Sequence, residues 1–392
     1  MTPATIDLDE AQRHVWDAIV VGAGPAGALA ARRFALAGVN VLLVDKKAFP
    51  RAKVCGSCVN RRALAVLNDE GLGTLVDRIG GIALEHFHIG VRGCSIHRHA
   101  LLGKAISRTR FDNALVEAAI AAGARFLAET HATIEVCDNT TRGVRLERHG
   151  RTIHARARVV AAASGLGNAA LEGEPSIRTR IAARSRIGAG RVVDAGSSAY
   201  NDKTIHMAIG RHGYVGLVRV EDGSLNVAAA FDKAFIKACE SSARAAAAVL
   251  REAGFPAIQS DDDGSWRGTV ALSRSTRPVA ARRLIILGDA AGYIEPFTGE
   301  GIGWALSSAS AGVPIALEGI ERWTSAIERE WIETHRLLIG RSTLVCRGLA
   351  FTLRRPRLAG LVAKLAERTP AIADMIIRRI NASPTVCPQI SN

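Results

Sequence analysis

At 392 residues, 48% of them hydrophobic and with 38 glycines spread among apolar runs, the chain has the composition of a globular α/β protein, which excludes a disordered or fibrous one. Its formal net charge of +14 comes without any nucleic-acid motif and with only three tyrosines and ten phenylalanines, so RNA or DNA is not an expected partner. The first 17 residues carry acids and no apolar core, unlike a secretory signal, so a soluble, cytoplasmic protein with seven reduced cysteines is expected.

Residues 16–21 read as a short buried strand, followed at once by Gly22-Ala-Gly24-Pro-Ala26-Gly27. An Ala/Leu-rich helix then runs to about Ala37 and stops at Gly38, and residues 40–44 form a second strand ending in Asp45. Residues 46–60 are basic and irregular, residues 61–67 resume a helix, and residues 84–98 alternate as strands. Residues 111–122 are helical, and residues 158–163 look like a strand returning to a parallel sheet. Three further strands are expected at 204–209, 214–220 and 225–230, with Glu221-Asp-Gly-Ser224 as a hairpin turn, so this part reads as antiparallel. A single helix is expected over 234–253, a polar loop over 260–265 and a buried strand over 284–287, with mostly helix beyond. The apolar window 301–320 holds Glu318 and reads as a buried helix rather than a membrane span.

The strand, glycine turn, helix and second strand form one complete unit. Gly22 permits the tight turn, Gly24 lets a pyrophosphate approach the backbone, and Gly27 lets the helix pack on the strand. The helix N-terminus presents free N–H groups to the negative charge. Asp45, 18 residues after Gly27, is placed to accept both hydroxyls of an adenosine ribose, and it disfavours a 2′-phosphate. A second glycine turn, Gly288-Asp289-Ala-Ala-Gly292, follows the 284–287 strand and leads into Gly299-Glu-Gly301-Ile302. His86, His88, His97 and His99 stand at spacing two and read as a strand face of exposed histidines, so no metal is expected. Between His335 and Ile380 ten Arg and Lys residues face two acids, Glu367 and Asp374, so a basic helical tail is expected to rest on an anionic membrane surface or in water.

The N-terminal glycine unit, Lys53-Val-Cys55-Gly56, Arg108-x-x-Phe-Asp112 and the Gly288-Asp289 segment together resemble the geranylgeranyl reductase family. That family belongs to the flavoproteins with the p-hydroxybenzoate hydroxylase fold. The resemblance implies FAD and an α/β fold: a Rossmann-type FAD-binding domain, an inserted antiparallel-sheet substrate domain and a helical C-terminus. The FAD domain is expected at 14–80, 101–168 and 269–320, the substrate domain at 81–100 and 169–268, and the C-terminal segment at 321–392. By the resemblance, Asp289 bonds the flavin's ribityl chain and Arg108 approaches its phosphate region. Gly299, Gly301 and Ile302 put backbone N–H groups near the pyrimidine end of the ring, where the reduced ring is anionic. Ala26, Lys46, Lys53 and Gly288 belong to the same expected cofactor set. Cys55 and Gly56 match a pair beside the flavin ring; Cys55 is then expected to touch flavin or substrate, to form a redox pair with Cys58, or simply to pack.

The pattern also departs from its relatives. The Asp-Gly pair that aromatic monooxygenases tie to pyridine nucleotides reads Ala163-Ser164-Gly165 here, and of the reductases' aromatic substrate motif only Tyr214 is recognisable. The expected catalytic residues are therefore Cys55 and Tyr214. The expected reaction is reduction of a carbon–carbon double bond in a hydrophobic substrate, with NAD(P)H or a separate reductase or ferredoxin as electron donor. The alternative is a monooxygenase acting on an aromatic or polyketide substrate; a halogenase or a flavin carrier without turnover ranks below it.

Overall fold

The computed structural model describes residues 2–91, 94–194, 199–258, 266–295 and 299–355. The expected loop at 260–265 and most of the basic tail, from residue 356 on, lie outside the described residues.

Two sheets organise the molecule. In the first, Leu284–Ile286, Arg151–Ala162, Val15–Val21, Val41–Val44 and Arg125–Leu127 lie side by side in parallel. Val41–Val44 is buried at every position, as a strand covered on both faces must be. The returning strand is twice the expected length. Its first half pairs in antiparallel fashion with Arg142–Arg148, and that strand pairs with His131–Cys137. The helix Pro25–Leu36 starts with Pro at its first turn and ends before Gly38 at φ +78°, a left-handed conformation that glycine adopts without strain. It packs against the helices Arg108–Ala121 and Gly301–Glu321. Gly301–Glu321 is apolar on nearly every side because it runs through the core, and among the described residues no helix is long and apolar enough to cross a membrane.

The second sheet is a curved layer in the order Arg267–Ala271, Ile187–Val193, Leu225–Phe231, Gly213–Arg219, Thr204–Gly210, Ile82–Val91, Cys94–Ala105 and Cys58–Asn60. Every neighbouring pair is antiparallel except Thr204–Gly210 with Ile82–Val91. Its strands run past the boundaries expected from sequence. Cys94–Ala105 continues beyond residue 100, and Cys58–Asn60, in the stretch expected to be irregular, closes the edge. The single helix expected over 234–253 is two, Lys233–Ala238 and Ser242–Glu252. Glu240 breaks the run at φ +62°, and Ser241 caps the second helix by accepting a bond from the Arg244 amide.

Candidate active site

The cradle at the first glycine turn is set by close approach. A Cβ on Gly22, at φ +103°, would lie 2.4 Å from the Ala163 carbonyl oxygen, and one on Gly27 would lie 1.7 Å from the Gly22 oxygen. Gly24 is different: a Cβ there would meet only the Arg51 Nη2, at 3.5 Å. The open side of the turn therefore faces a guanidinium, and the helix behind it has no side-chain cap on its N–H groups. Asp45 is buried; its Oδ2 accepts from the Ala23 amide at 2.8 Å and its Oδ1 from the Lys47 amide at 2.9 Å. Each oxygen keeps a further lone pair for a ribose hydroxyl.

The two glycine turns touch each other. A Cβ on Gly288 would lie 3.0 Å from the Cβ of Ala26, and the Gly288 amide donates to the Ser308 hydroxyl at 2.7 Å. At this junction charged groups converge. Arg108 donates twice to Asp112, at 2.7 Å from Nε and from Nη2, and Arg51 lies 3.3 Å from Asp112 and 3.8 Å from Asp45. Burial opposes the Arg108 charge, but the Asp112 carboxylate outweighs it and holds the guanidinium firmly protonated. Burial, reinforced by Arg108, lowers the Lys53 amine, while burial raises Asp289 against the pull of Lys53 and Arg108. Three cations and three carboxylates thus meet between the two glycine turns.

Beyond this junction lies a cavity of about 340 Å³, within the size range of small-molecule sites. Lys53, Cys55, Gly56, Arg108 and Asp289 line its polar end, with Gly299, Gly301 and Ile302 at the start of the Gly301–Glu321 helix. Leu102, Ile205, Met207, Leu217 and Leu272, mainly from the curved sheet, supply apolar lining to the same cavity. The Cys55 loop is pinned to that sheet by Asn226, whose Nδ2 donates to the Cys55 carbonyl at 2.9 Å. Cys55 and Cys58 are free thiols, and burial, with Cys55 adding to it, pushes Cys58 up to about 12, so Cys58 stays protonated at neutral pH. Tyr214 lines the cavity with the Arg186 guanidinium 5.8 Å from its ring centroid, and burial lifts its phenol well above 10.

Most of the expected cofactor and catalytic set comes together here. Lys46 does not: it is exposed on the loop after Asp45 and lies outside the cavity lining. Sequence reasoning passed over Arg51, Asn60 and Tyr293. Arg51 gave a signal, a guanidinium in the basic stretch next to Lys53. Tyr293 gave none beyond its place after Gly292, yet its ring would lie 3.3 Å from a Cβ on Gly301, and burial followed by Asp289 and Cys55 raises its phenol well above 10.

The histidines stand on strands as expected, with His86, His97 and His99 exposed and His88 half-buried. They sit on two neighbouring strands, His86 opposite His99 and His88 opposite His97, and His206 joins them. Together with Tyr200, Phe255 and other residues they line a cavity of about 670 Å³. Among the described residues no group of three His, Cys, Asp or Glu is arranged to hold a metal.

The geometry fits FAD. The glycine cradle admits a diphosphate, buried cations stand beside it, and the ring-sized cavity ends at a helix N-terminus. Comparison with known proteins agrees. The family described as FAD binding domain matches residues 16–311. The chain is 28% identical to a menaquinone reductase of Mycobacterium tuberculosis over 92% of this chain and 90% of the relative. It is 27% identical to a digeranylgeranylglycerophospholipid reductase of Methanoculleus marisnigri, over 78% and 77%. A solved geranylgeranyl bacteriochlorophyll reductase-like protein of Thermoplasma acidophilum shares the fold, with a TM-score of 0.77 and 20% identity, covering 94% of this chain and 96% of that one. Cradle, cation cluster, cavity and family match converge on one assignment: the chain belongs to the FAD binding domain family and is an FAD-dependent oxidoreductase related to the geranylgeranyl reductases.

Proposed function

We propose that this oxidoreductase reduces a carbon–carbon double bond in an isoprenoid chain of a lipid-like substrate. The observation that carries the reading is the apolar lining of Leu102, Ile205, Met207, Leu217 and Leu272 in the same cavity as Lys53, Arg108 and Asp289. Such a lining suits a branched hydrocarbon, and the names of the relatives, a menaquinone reductase and a digeranylgeranylglycerophospholipid reductase, point the same way.

In this reading Gly22, Gly24 and Gly27 admit the pyrophosphate, Arg51, Lys53 and Arg108 balance its charge, and Asp45 takes the ribose. Asp289 orients the ribityl chain, and the amides at Gly299, Gly301 and Ile302 face the pyrimidine end of the ring. When bound, FAD supplies the hydride chemistry. The chain's own residues orient the alkene, exclude water and hold protons: the thiols of Cys55 and Cys58 and the phenols of Tyr214 and Tyr293 are among the groups at the cavity able to donate one. Electrons arrive from outside, from NAD(P)H or a separate reductase or ferredoxin. The basic C-terminal segment makes a peripheral contact with an anionic membrane surface.

The test is anaerobic. FAD-loaded protein is reduced chemically and mixed with a polyprenyl lipid, and the product is weighed by mass spectrometry. Gain of two hydrogens without oxygen supports the reading; product that forms only after oxygen is admitted and carries an added oxygen atom overturns it in favour of a monooxygenase.

A further inference from the structure

Glu300 has no task in the function proposed above, yet its position is unusual for a carboxyl. It is the residue before the 21-residue helix Gly301–Glu321, it is 6% exposed, and its two neighbours, Gly299 and Gly301, both line the FAD cavity. Its side chain turns toward the start of the Arg61–Asp69 helix, where Asn60 bonds the carboxyl. The Arg62 Nε stands 3.8 Å from its Oε2, too far for a hydrogen bond, and among the described residues Oε2 has no hydrogen-bond partner. A buried carboxylate that is close to a cation but not bonded to it is poorly compensated. Among the described residues few charged and titratable groups surround it. Arg62 faces it directly, and the Cys346 thiol of the Ser325–Leu353 helix faces Arg62 from behind. Cys58 lies against Gly299, and Tyr293 lies against Gly301. Burial outweighs Arg62 and Asn60 and lifts Glu300 to about 7.

We infer that Glu300 takes up a proton when FAD held against Gly299 and Gly301 is reduced, so that two electrons enter this protein with two protons. The negative charge of the reduced ring gathers at its pyrimidine end, beside the helix start that Glu300 shares, and like charges in a buried site favour protonation of one of them. The electrons come from a two-electron reductant, dithionite in the test below, and both protons come from solvent. One proton joins the cofactor. The other converts the Glu300 carboxylate to the acid, and its departure on reoxidation restores the starting state. Glu300 is thus a positioning residue for charge, acting through the helix start rather than on the substrate. The inference rests on the bound FAD and is independent of the lipid reading.

Spectroelectrochemical titration of the FAD-loaded protein tests it. Above about pH 7.5 the midpoint potential of the wild type is expected to fall by about 60 mV per pH unit, and that of Glu300→Gln by about 30 mV, because each proton per two electrons contributes about 30 mV. A wild-type slope of about 30 mV per pH unit, or a variant that keeps the steeper slope, overturns the inference. If the variant does not retain FAD, the wild type decides alone by reduced-minus-oxidised infrared spectroscopy at about pH 8. A protonated-carboxyl band that appears on reduction and moves on carbon-13 labelling of glutamate supports it, and absence of that band overturns it. Neither readout uses a substrate, so failed turnover of a polyprenyl lipid leaves this result standing.

Discussion

Two cavities flank the same curved sheet, and alternation along the strand Thr204–Gly210 puts its side chains into one or the other. Ile205 and Met207 line the FAD cavity, whereas Thr204 and His206 line the histidine cavity. The two differ in what lines them. The FAD cavity gathers the Lys53–Gly56 loop, Arg108 and residues from both glycine turns, and combines charged groups with apolar side chains. The histidine cavity gathers rings from the strand face and the loop that covers it. Its inner imidazoles are held neutral: burial lowers the half-buried His88 and the buried His206 to about 4 each, helped by neighbouring histidines. Converging chemistry from distant segments is what favours the first cavity as the reaction site.

Substitutions in the two cavities should therefore part company. Asp112→Ala is expected to have the largest effect, about 3–5 kcal/mol of stability with loss of bound FAD, because it strands the buried Arg108 charge. Urea unfolding and the visible flavin absorbance measure both. Gly27→Ala comes next, at about 1–3 kcal/mol, since its Cβ meets backbone rather than a movable side chain. FAD affinity by fluorescence should fall with it, and unchanged affinity would remove the cradle from the account.

On the histidine side the expected signature is in pH. His88 and His206 bind protons more weakly folded than unfolded, so stability is full above about pH 6.5 and is lost as pH falls toward about 4. Discounted for the partial exposure of His88, the pair contributes about 1–3 kcal/mol to that acid limb. The double variant H88Q/H206Q should flatten it in pH-dependent thermal melts. His335, lowered in the same way by its own burial, leaves a residual slope. His97→Ala, at a more exposed position, should change stability by less than about 0.5 kcal/mol and leave FAD affinity unaltered. A large loss of FAD from that change would erase the distinction between the two cavities.

The same contrast explains what could be read from the sequence. The first glycine turn and its flanking elements were legible because their physical demands are local. A turn that must let a phosphate in and a helix pack closely requires glycines at fixed spacing, and Asp45 falls at the end of the next strand. The second turn was legible for the same reason, and its contact with Ala26 follows from the strand order. The histidine cavity was not legible. Pairing of His88 with His97 depends on cross-strand register, and the entry of His206 depends on a parallel neighbour more than a hundred residues away. Tyr293 was hidden likewise, since its approach to Gly301 is made by a turn and not by a pattern. The helix expected over 234–253 erred because alanine-rich propensity continued across Glu240, where a left-handed residue and the Ser241 cap end one helix and begin another.

The central claim is that two chain segments some 260 residues apart close around one FAD. Titration of the FAD-free protein with FAD, followed by quenching of flavin fluorescence, tests it most directly. The account predicts saturable binding of one FAD per chain, weakened by Gly27→Ala at one end and by Asp289→Ala at the other. Absent binding would contradict it outright, and binding that survives the Asp289→Ala change while failing with Gly27→Ala would contradict it by placing only the adenosine end of a nucleotide in this fold.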